Sequence, residues 1–329
     1  MQISIVIPTC NRKASLLQVL QSLSASSYPL REIIVVDSGE ERLAATELEL
    51  FSRFPVRYLF SEKSVCIQRN IGIREAKSEW VFLCDDDVEM PADYIGKLAA
   101  HAEKYNAGAV SGQWLQKQDN GWQASWPELS SFRLLWKYIF GLSVWGAIKC
   151  GPAWLKRCYN RKGNHITKAG WPVITQMSGE FYITPVYTLG ASLVKRDWLL
   201  QSPFDEVLDR NGIGDNYGVA MGFPEMGIHI VHDALVYHHR APVNRLKRSL
   251  QYYRRALALD YFARTKKNLR HVKRLWILWS LFGNLLTFIW AREGALIKAS
   301  LKAMVKIMSA NNPYYKSSVE GGQVIEPGL

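Results

Sequence analysis

The 329-residue sequence has few cysteines and no C-x-x-C pair among them. Cys10, Cys66, Cys84, Cys150 and Cys158 are odd in number and irregularly spaced, which points away from a disulfide framework and toward a reducing, cytoplasmic compartment. The chain opens without a basic segment, a long apolar run or a cleavage site. Met1-Gln2 leads straight into Ile3-Ser4-Ile5-Val6-Ile7, so no signal peptide is expected. No G-x-G-x-x-G follows the first apolar segment and no G-x-x-x-x-G-K-[ST] occurs, which disfavours dinucleotide enzymes and P-loop NTPases. A mean hydropathy of -0.10 does not indicate a multi-span membrane protein. Acidic residues are nearly missing from one stretch. Residues 245–316 carry 16 Lys or Arg against only Asp260 and Glu293, while the rest has 25 bases and 27 acids. The net charge of +12 therefore sits in a C-terminal tail, which suits a polyanionic partner, either an anionic leaflet or nucleic acid.

What is present begins with alternating short β-branched runs and helical patterns. Residues 3–8 read as a strand, and Leu16, Val19, Leu20 and Leu23 then recur on one helical face. Glu32-Ile33-Ile34-Val35-Val36-Asp37 is apolar throughout, as a parallel strand covered on both faces should be. The pattern continues with a helix over 42–54, a strand over 56–60, a helix over 66–76 and a strand over 80–84. This β-α-β-α-β-α-β order predicts an α/β fold with an open, mostly parallel, Rossmann-like sheet flanked by helices.

From about residue 112 to 185 the pattern breaks. Trp114, Trp122, Trp126, Trp136, Trp145, Trp154 and Trp171 stand among Gly, Pro and basic residues. Strands are expected again over 188–194, 228–231 and 234–237. The tail is helical, with an apolar run of 17 residues over 275–291, interrupted by Asn284. An amphipathic helix follows, in which Leu296, Ile297, Leu301, Met304 and Met308 alternate with Lys298, Lys302 and Lys306. Seventeen residues lie at the lower limit for crossing a bilayer, so the preferred reading is a pair of helices lying in the membrane plane. Residues 317–329 read as disordered. Four segments result: 1–112, 113–244 with the Trp-rich stretch, the basic helical tail 245–316, and the terminal 317–329.

In an open parallel sheet, ligands bind at the carboxyl ends of the strands. Here those ends carry Pro8-Thr9-Cys10-Asn11-Arg12, Asp37-Ser38-Gly39 and Asp85-Asp86-Asp87, groups suited to a nucleoside diphosphate. Three successive carboxylates repel one another, and a hard divalent cation relieves that repulsion. Alternation along an extended segment predicts Asp85 and Asp87 facing one pocket with Asp86 pointing elsewhere. Arg69 and Asn70, at the start of the preceding helix, could meet the same diphosphate.

The set Ile7-Pro8-Thr9-Cys10-Asn11-Arg12, Val35-Val36-Asp37-Ser38-Gly39, Arg69-Asn70-Ile71-Gly72 and Phe82-Leu83-Cys84-Asp85-Asp86-Asp87 resembles glycosyltransferase family 2, inverting enzymes of the GT-A fold. The resemblance covers roughly residues 1–240. It implies that Pro8, Thr9 and Asp37 contact the nucleoside, Arg69 the diphosphate, Asp85 the ribose or metal, and Asp87 a Mg²⁺ or Mn²⁺ ion. Gly190-Ala191-Ser192 and Phe204-Asp205-Glu206 match the family, and Asp215 falls where the catalytic base is expected, although Gly214 stands where a glutamate is common. Asp209 is the next candidate base, and Asp205 reads as a loop-holding residue. Val236-Tyr237-His238-His239 resembles the late histidine of related metal or diphosphate sites, which singles out His238. Gln251-Tyr252-Tyr253-Arg254-Arg255 misses the Gln-x-x-Arg-Trp motif of processive synthases, because Arg255 replaces the Trp, and reads instead as part of a basic amphipathic helix.

The implied partners are a nucleoside-diphosphate sugar, a lipid-linked or glycan acceptor and an anionic membrane surface at the cytoplasmic face. A nucleic-acid-binding protein is the competing class, but no helix-turn-helix, zinc-finger or RNA-binding pattern supports it. A nucleotidyltransferase on a similar sheet is the third reading.

Overall fold

Apolar strands with no polar face need cover on both sides, and the N-terminal strands show how that cover is divided. In a computed structural model describing residues 1–119, 121–124, 129–239 and 246–329, β1 (Ile3–Thr9), β2 (Glu32–Asp37) and β4 (Trp80–Cys84) are buried along their whole length. Their side chains alternate strictly between two cores. Ile3, Ile5, Ile7, Ile33, Val35 and Phe82 enter one, and Val6, Ile34, Val36, Val81 and Leu83 enter the other. Helices α1 (Lys13–Ser24) and, later, α4 (Tyr94–Tyr105) cover the first face. Helix α3 (Val65–Glu75), reached through α2 (Ala45–Glu49) and β3 (Val56–Phe60), covers the second.

The sheet then changes direction. After β5 (Val88–Glu89) come β6 (Ala109–Gln118) and β7 (Gly121–Gln123). An insertion carries α5 (Ser131–Phe140), β8 (Val144–Trp145), α6 (Ala153–Asn160), β9 (His165–Ile166) and β10 (Pro172–Ile174). The chain returns through β11 (Phe181–Thr184), β12 (Ala191–Lys195), α7 (Arg196–Gln201), α8 (Asp215–Ala220) and β13 (Ile228–His238). The strand order is β11-β13-β6-β12-β4-β1-β2-β3, with β5 on β13 and β7 on β6. Strands β3, β2, β1 and β4 are mutually parallel, and β12 pairs antiparallel with both β4 and β6. Strands β8, β10 and β9 make a separate small sheet in the insertion.

The tail forms α9 (Arg248–Thr265), α10 (Arg274–Trp290), α11 (Gly294–Met308) and α12 (Pro313–Glu320). Leu257, Phe262, Ile277, Leu281, Ala303 and Tyr314 belong to the same core as the α3 face of the sheet. No described helix is long and apolar enough to cross a membrane. At about 1.5 Å per residue, the 17 residues of α10 fall short of a hydrocarbon core of about 30 Å.

Several boundaries differ from the sequence expectations. The helix expected over 42–54 shrinks to α2. At its start the Glu47 carboxylate accepts the Ala44 N–H at 2.8 Å, and Pro55 biases the preceding residue away from helix. The two strands expected over 228–231 and 234–237 are one strand, β13, with an irregularity between Val231 and Leu235. The stripe Leu296, Ala299, Ser300, Ala303 and Ile307 is the buried side of α11, so Leu301 and Met308 face outward. Residues 317–329, expected to be disordered, begin inside α12 and then run extended across the body, where Ile325 N–H donates to Val207 O at 3.1 Å and Glu326 reaches Arg254. Ion pairing to a buried guanidinium is a contact that composition does not reveal. Trp126, Arg240 and Arg245 lie outside the described residues.

Candidate active site

The carboxyl ends of β1 and β4 open on one cavity of about 310 Å³, whose far wall is the loop leading into α8. Its lining includes Pro8, Thr9, Arg12, Arg69, Asp85, Asp87, Asp215 and His238, and excludes Asn11, Asp37 and Asn70. Residues from opposite ends of the sequence meet because β12 inserts between β4 and β6, bringing α8 and β13 back toward the β4 end.

Arg69 is the organising group. It leaves α3 buried at 5% exposure, donates Nη2 to Asp85 Oδ1 at 2.6 Å, and donates Nη1 to Asp215 Oδ2. Desolvation pulls the Arg69 pKa down, but the Asp215 and Asp85 carboxylates together raise it above the ordinary guanidinium value. Burial pushes the Asp215 carboxyl up to about 6, against the opposing pull of Arg69 and the Asn216 N–H. That N–H donates to Asp215 Oδ1 at 2.6 Å. Gly190 accounts for the position of Asp85. Asp85 N–H donates to Gly190 O at 2.6 Å, and a Cβ on Gly190 would come within 2.0 Å of the carboxylate.

The remaining two aspartates share Arg12. Asp87 Oδ1 lies 3.4 Å from His238 Nε2, and Asp87 Oδ2 lies 3.4 Å from Arg12 Nη1. Asp86, expected to point elsewhere, also lines the cavity. It accepts from Thr9 Oγ1 at 2.8 Å and Arg12 Nη1 at 2.8 Å, because the turn after β4 ends the strand alternation. Burial pushes its carboxyl up to about 6, opposed mainly by Arg12 and Thr9. The acidic triplet is thus divided between two arginines.

A divalent ion can be tested against these groups. Among the described residues no three His, Cys, Asp or Glu side chains stand close enough to hold one. Asp85 is turned to Arg69, leaving Asp87 and His238 as a neighbouring carboxylate and imidazole on the wall, with His238 Nδ1 buried and unpartnered. Two protein ligands fit Mg²⁺ or Mn²⁺, which complete their shells with water and substrate phosphates.

Three expected site residues have other work. Asn70 donates to Phe204 O at 2.8 Å and Glu206 Oε1 at 2.8 Å, and accepts from Phe204 N–H at 3.0 Å. Its amide is spent tying α3 to the 204–206 loop, so it does not reach a diphosphate in the cavity. Asp37 is 2% exposed, accepting from Gly39 N–H at 2.7 Å and from the Tyr58 hydroxyl. Asn11, at φ 53°, accepts from Glu40 N–H at 2.8 Å. Asn11 and Asp37 crowd Gly39, where a Cβ would lie 2.6 Å from Asn11 N. Asp209 is 0% exposed and held by Arg254 at 3.0 Å and by the N–H groups of Asn211 and Ile213, which seals it from the cavity. Asp205 accepts from Tyr261 Oη at 2.9 Å and pairs with Lys266 at 2.7 Å, joining its loop to α9. Arg254, read from the sequence as part of a basic amphipathic helix, is buried on α9 against Asp209 and Glu326.

Lys63, Gln68, Arg210, Asn211 and Asn216 also line the cavity, and no sequence motif above marks them as site residues. Gln68 donates to Thr9 O at 2.6 Å and Val36 O at 2.8 Å, pinning α3 across the ends of β1 and β2. Arg210 and Asn216 stand beside the candidate bases in sequence, which was the available signal for them.

The family model for glycosyl transferase family 2 matches residues 4–198. The chain is 34% identical over 105 residues to the uncharacterized glycosyltransferase YwdF of Bacillus subtilis, covering 31% of this chain and 39% of that protein. It is 37% identical over 93 residues to an uncharacterized glycosyltransferase of Haemophilus influenzae, covering 27% of this chain and 31% of that protein. The chain therefore spans well under half the length of these relatives. Among solved structures, S. aureus TarS 1-349 superposes with a TM-score of 0.55 at 13% identity, covering 98% of this chain and 92% of that one. GalNAc-T7 with UDP, GalNAc and Mn2+ gives 0.50 at 14%, covering 80% and 50%. Those likenesses show the GT-A fold. With a family model running from β1 into α7, over more than half its length, this chain is a member of glycosyltransferase family 2.

Proposed function

We propose that the protein is an inverting glycosyltransferase that moves a sugar from a nucleoside-diphosphate sugar to a hydroxyl of a membrane-associated acceptor, lipid-linked or polysaccharide, at the cytoplasmic face of a membrane. The observation that carries this reading is Arg69 fixed between Asp85 and Asp215 in a cavity that Asp87 and His238 also line. Such a cavity offers cations for a diphosphate and a buried carboxylate for an acceptor. S. aureus TarS 1-349, a fold neighbour, has been solved with UDP-GlcNAc and with UDP, which supports a nucleotide-sugar donor.

In this mechanism Pro8 and Thr9 border the nucleoside, while Arg12 and Arg69 face the two phosphates. Asp87 and His238 would hold a Mg²⁺ or Mn²⁺ ion, whose chemistry is to neutralise charge on the departing diphosphate. Asp215 takes the proton of the acceptor hydroxyl. The acceptor oxygen bonds to the anomeric carbon from the face opposite the diphosphate, the bond from that carbon to the diphosphate oxygen breaks, and the nucleoside diphosphate leaves. A base raised to about 6 is ionised at neutral pH yet stays basic enough to accept a proton. Arg69 keeps Asp215 oriented during the transfer.

The membrane part of the reading rests on the outer surface of α10, where Leu275, Trp276, Trp279, Phe282, Ile289 and Trp290 are exposed. Tryptophan favours the bilayer interface, and Lys or Arg nearby favours an anionic leaflet. Titration calorimetry with Mn²⁺ and a panel of nucleoside diphosphates tests the donor, and product analysis tests the chemistry. Binding of at least one diphosphate and sugar on the acceptor are expected. Nucleotide on the acceptor, or no diphosphate binding, refutes the proposal.

A further inference from the structure

The insertion holds a second charged feature that the reaction above does not use. Between residues 129 and 179 the sequence has eight Lys or Arg and no Asp or Glu. The near-neutral body therefore conceals a basic lobe outside the tail. Five of these cations, Lys137, Arg157, Arg161, Lys162 and Lys168, line one groove of about 590 Å³. Among the described residues no carboxylate lines it and none pairs with Arg157, Arg161 or Lys162. Like charges gathered around a concave surface without a counter-charge repel one another and concentrate the field, and a multivalent anion relieves both effects. Desolvation lowers the Lys137 pKa, with Arg133 adding to it.

The groove is also preformed. Its wall is the contact between α5 and α10, where Trp279 Nε1 donates to Ile139 O at 2.9 Å. Phe140 stacks on Trp279 with centroids 4.8 Å apart. Gly283 permits the approach, since a Cβ there would lie 2.3 Å from the Phe140 ring. Lys168 Nζ sits 5.6 Å from the centre of the Trp276 ring, so the cationic floor runs directly into an aromatic rim. Beyond that rim the exposed apolar surface continues along Phe282, Ile289 and Trp290. Inward, the groove is bounded by Thr167, Lys168 and Ala169, while Gly170, Trp171 and Pro172 of the same turn line a smaller cavity beside Gly214, next to Asp215.

A cation-rich floor with an apolar lip matches a molecule with an anionic head and an aliphatic tail. We propose that this groove seats the phosphate or diphosphate headgroup of an amphiphile whose chain lies along the α5–α10 surface. The proposal builds on the membrane part of the reading above and moves headgroup recognition from the basic tail to the insertion. It does not depend on the identity of the sugar donor. Two sources share the chemistry, an anionic phospholipid of the bilayer and an isoprenoid diphosphate of the kind that carries glycans.

The test is flotation of the full-length protein with three vesicle types: phosphatidylcholine alone, phosphatidylcholine with phosphatidylglycerol, and phosphatidylcholine doped with farnesyl diphosphate. Tighter binding to either vesicle with a net-anionic headgroup than to zwitterionic phosphatidylcholine alone is expected. The arm that gains most identifies the source. Arg157, Arg161 and Lys162 are exposed, so their removal should spare the fold. The Arg157→Ala/Arg161→Ala/Lys162→Ala variant should lose the gain due to the anionic headgroup by on the order of 100-fold. Its far-UV spectrum and its Mn²⁺-dependent nucleotide binding should match wild type. A Lys298→Ala/Lys306→Ala variant in the tail should keep most of the gain. Equal binding of wild type to all three vesicle types overturns the proposal, as does loss of the gain in the tail variant alone. Absent nucleotide binding in wild type sinks the catalytic reading and leaves the groove standing.

Discussion

Arg69 and Arg254 are each no more than 5% exposed, and each bridges two carboxylates. Arg69 holds Asp85 and Asp215; Arg254 holds Asp209 at 3.0 Å and Glu326 at 2.7 Å. The chemistry of the two clusters is nearly the same, but their surroundings differ. The Arg69 cluster faces a cavity of about 310 Å³ shared with Asp87 and His238, whereas Asp209 has no exposure at all and its partner Glu326 comes from the last residues of the chain. A buried ion network can therefore be a catalytic centre or a clasp, and access to a ligand-sized space separates the two. The clasp still matters to the centre. The loop it holds, residues 209–211, supplies Arg210 and Asn211 to the cavity wall.

The comparison can be broken most directly at the two aspartates. Asp215→Asn should lower turnover by ~10²–10⁴-fold with nucleotide affinity nearly unchanged, as measured by initial rates and calorimetry. Asp209→Asn should leave the turnover of the folded fraction within a few-fold of wild type. If the two effects were reversed, Asp209 would be the base and the assignment of centre and clasp would be wrong. Arg254→Met should destabilise the fold by ~3–5 kcal/mol in urea unfolding, because it strands the fully buried Asp209 carboxylate. A loss below ~1 kcal/mol would mean that this pair is not a clasp.

Smaller effects sharpen the contrast. Asp87→Ala should weaken Mn²⁺-stimulated nucleotide binding by more than ~10-fold while leaving the metal-free component intact. An unchanged metal response would remove Asp87 from the ion. The base must be ionised to act, so turnover should be flat above the Asp215 value of about 6 and fall ~10-fold per pH unit below it. Asp86 is raised to the same range, and Asp86→Asn should keep that acidic limb if Asp215 is its source. Glu326→Gln should cost about 1 kcal/mol or less, because its carboxylate is 42% exposed and water screens the pair. A cost rivalling that of Arg254→Met would shift the weight of the clasp onto the terminal segment.

The N-terminal half was legible because its information is local. Fully apolar strands such as Glu32–Asp37 announce a sheet covered on both faces, and a polar cluster after each strand marks the ligand edge. The second half was legible only in fragments. Asp215 could be placed by motif, but not its contact with Arg69, 146 positions away in the chain. Asn70 shows the opposite failure: its neighbour Arg69 faces the cavity, while one step round the helix turns the asparagine toward Phe204. Basic residues are visible among the tryptophans of the insertion, but which of them gather around one groove is set by tertiary packing.

The sequence by itself determined the strand-helix alternation of the first 84 residues, the polar groups at the strand ends and the family, since period, turn chemistry and motif are properties of neighbouring residues. Only the tertiary structure decided which of those polar groups meet. Strand β12 runs antiparallel between β4 and β6, and that crossover carries Asp215 and His238 to the end of β4. The same packing assigns Arg69 to a cavity and Arg254 to the interior, a distinction set by burial and by partners distant in sequence.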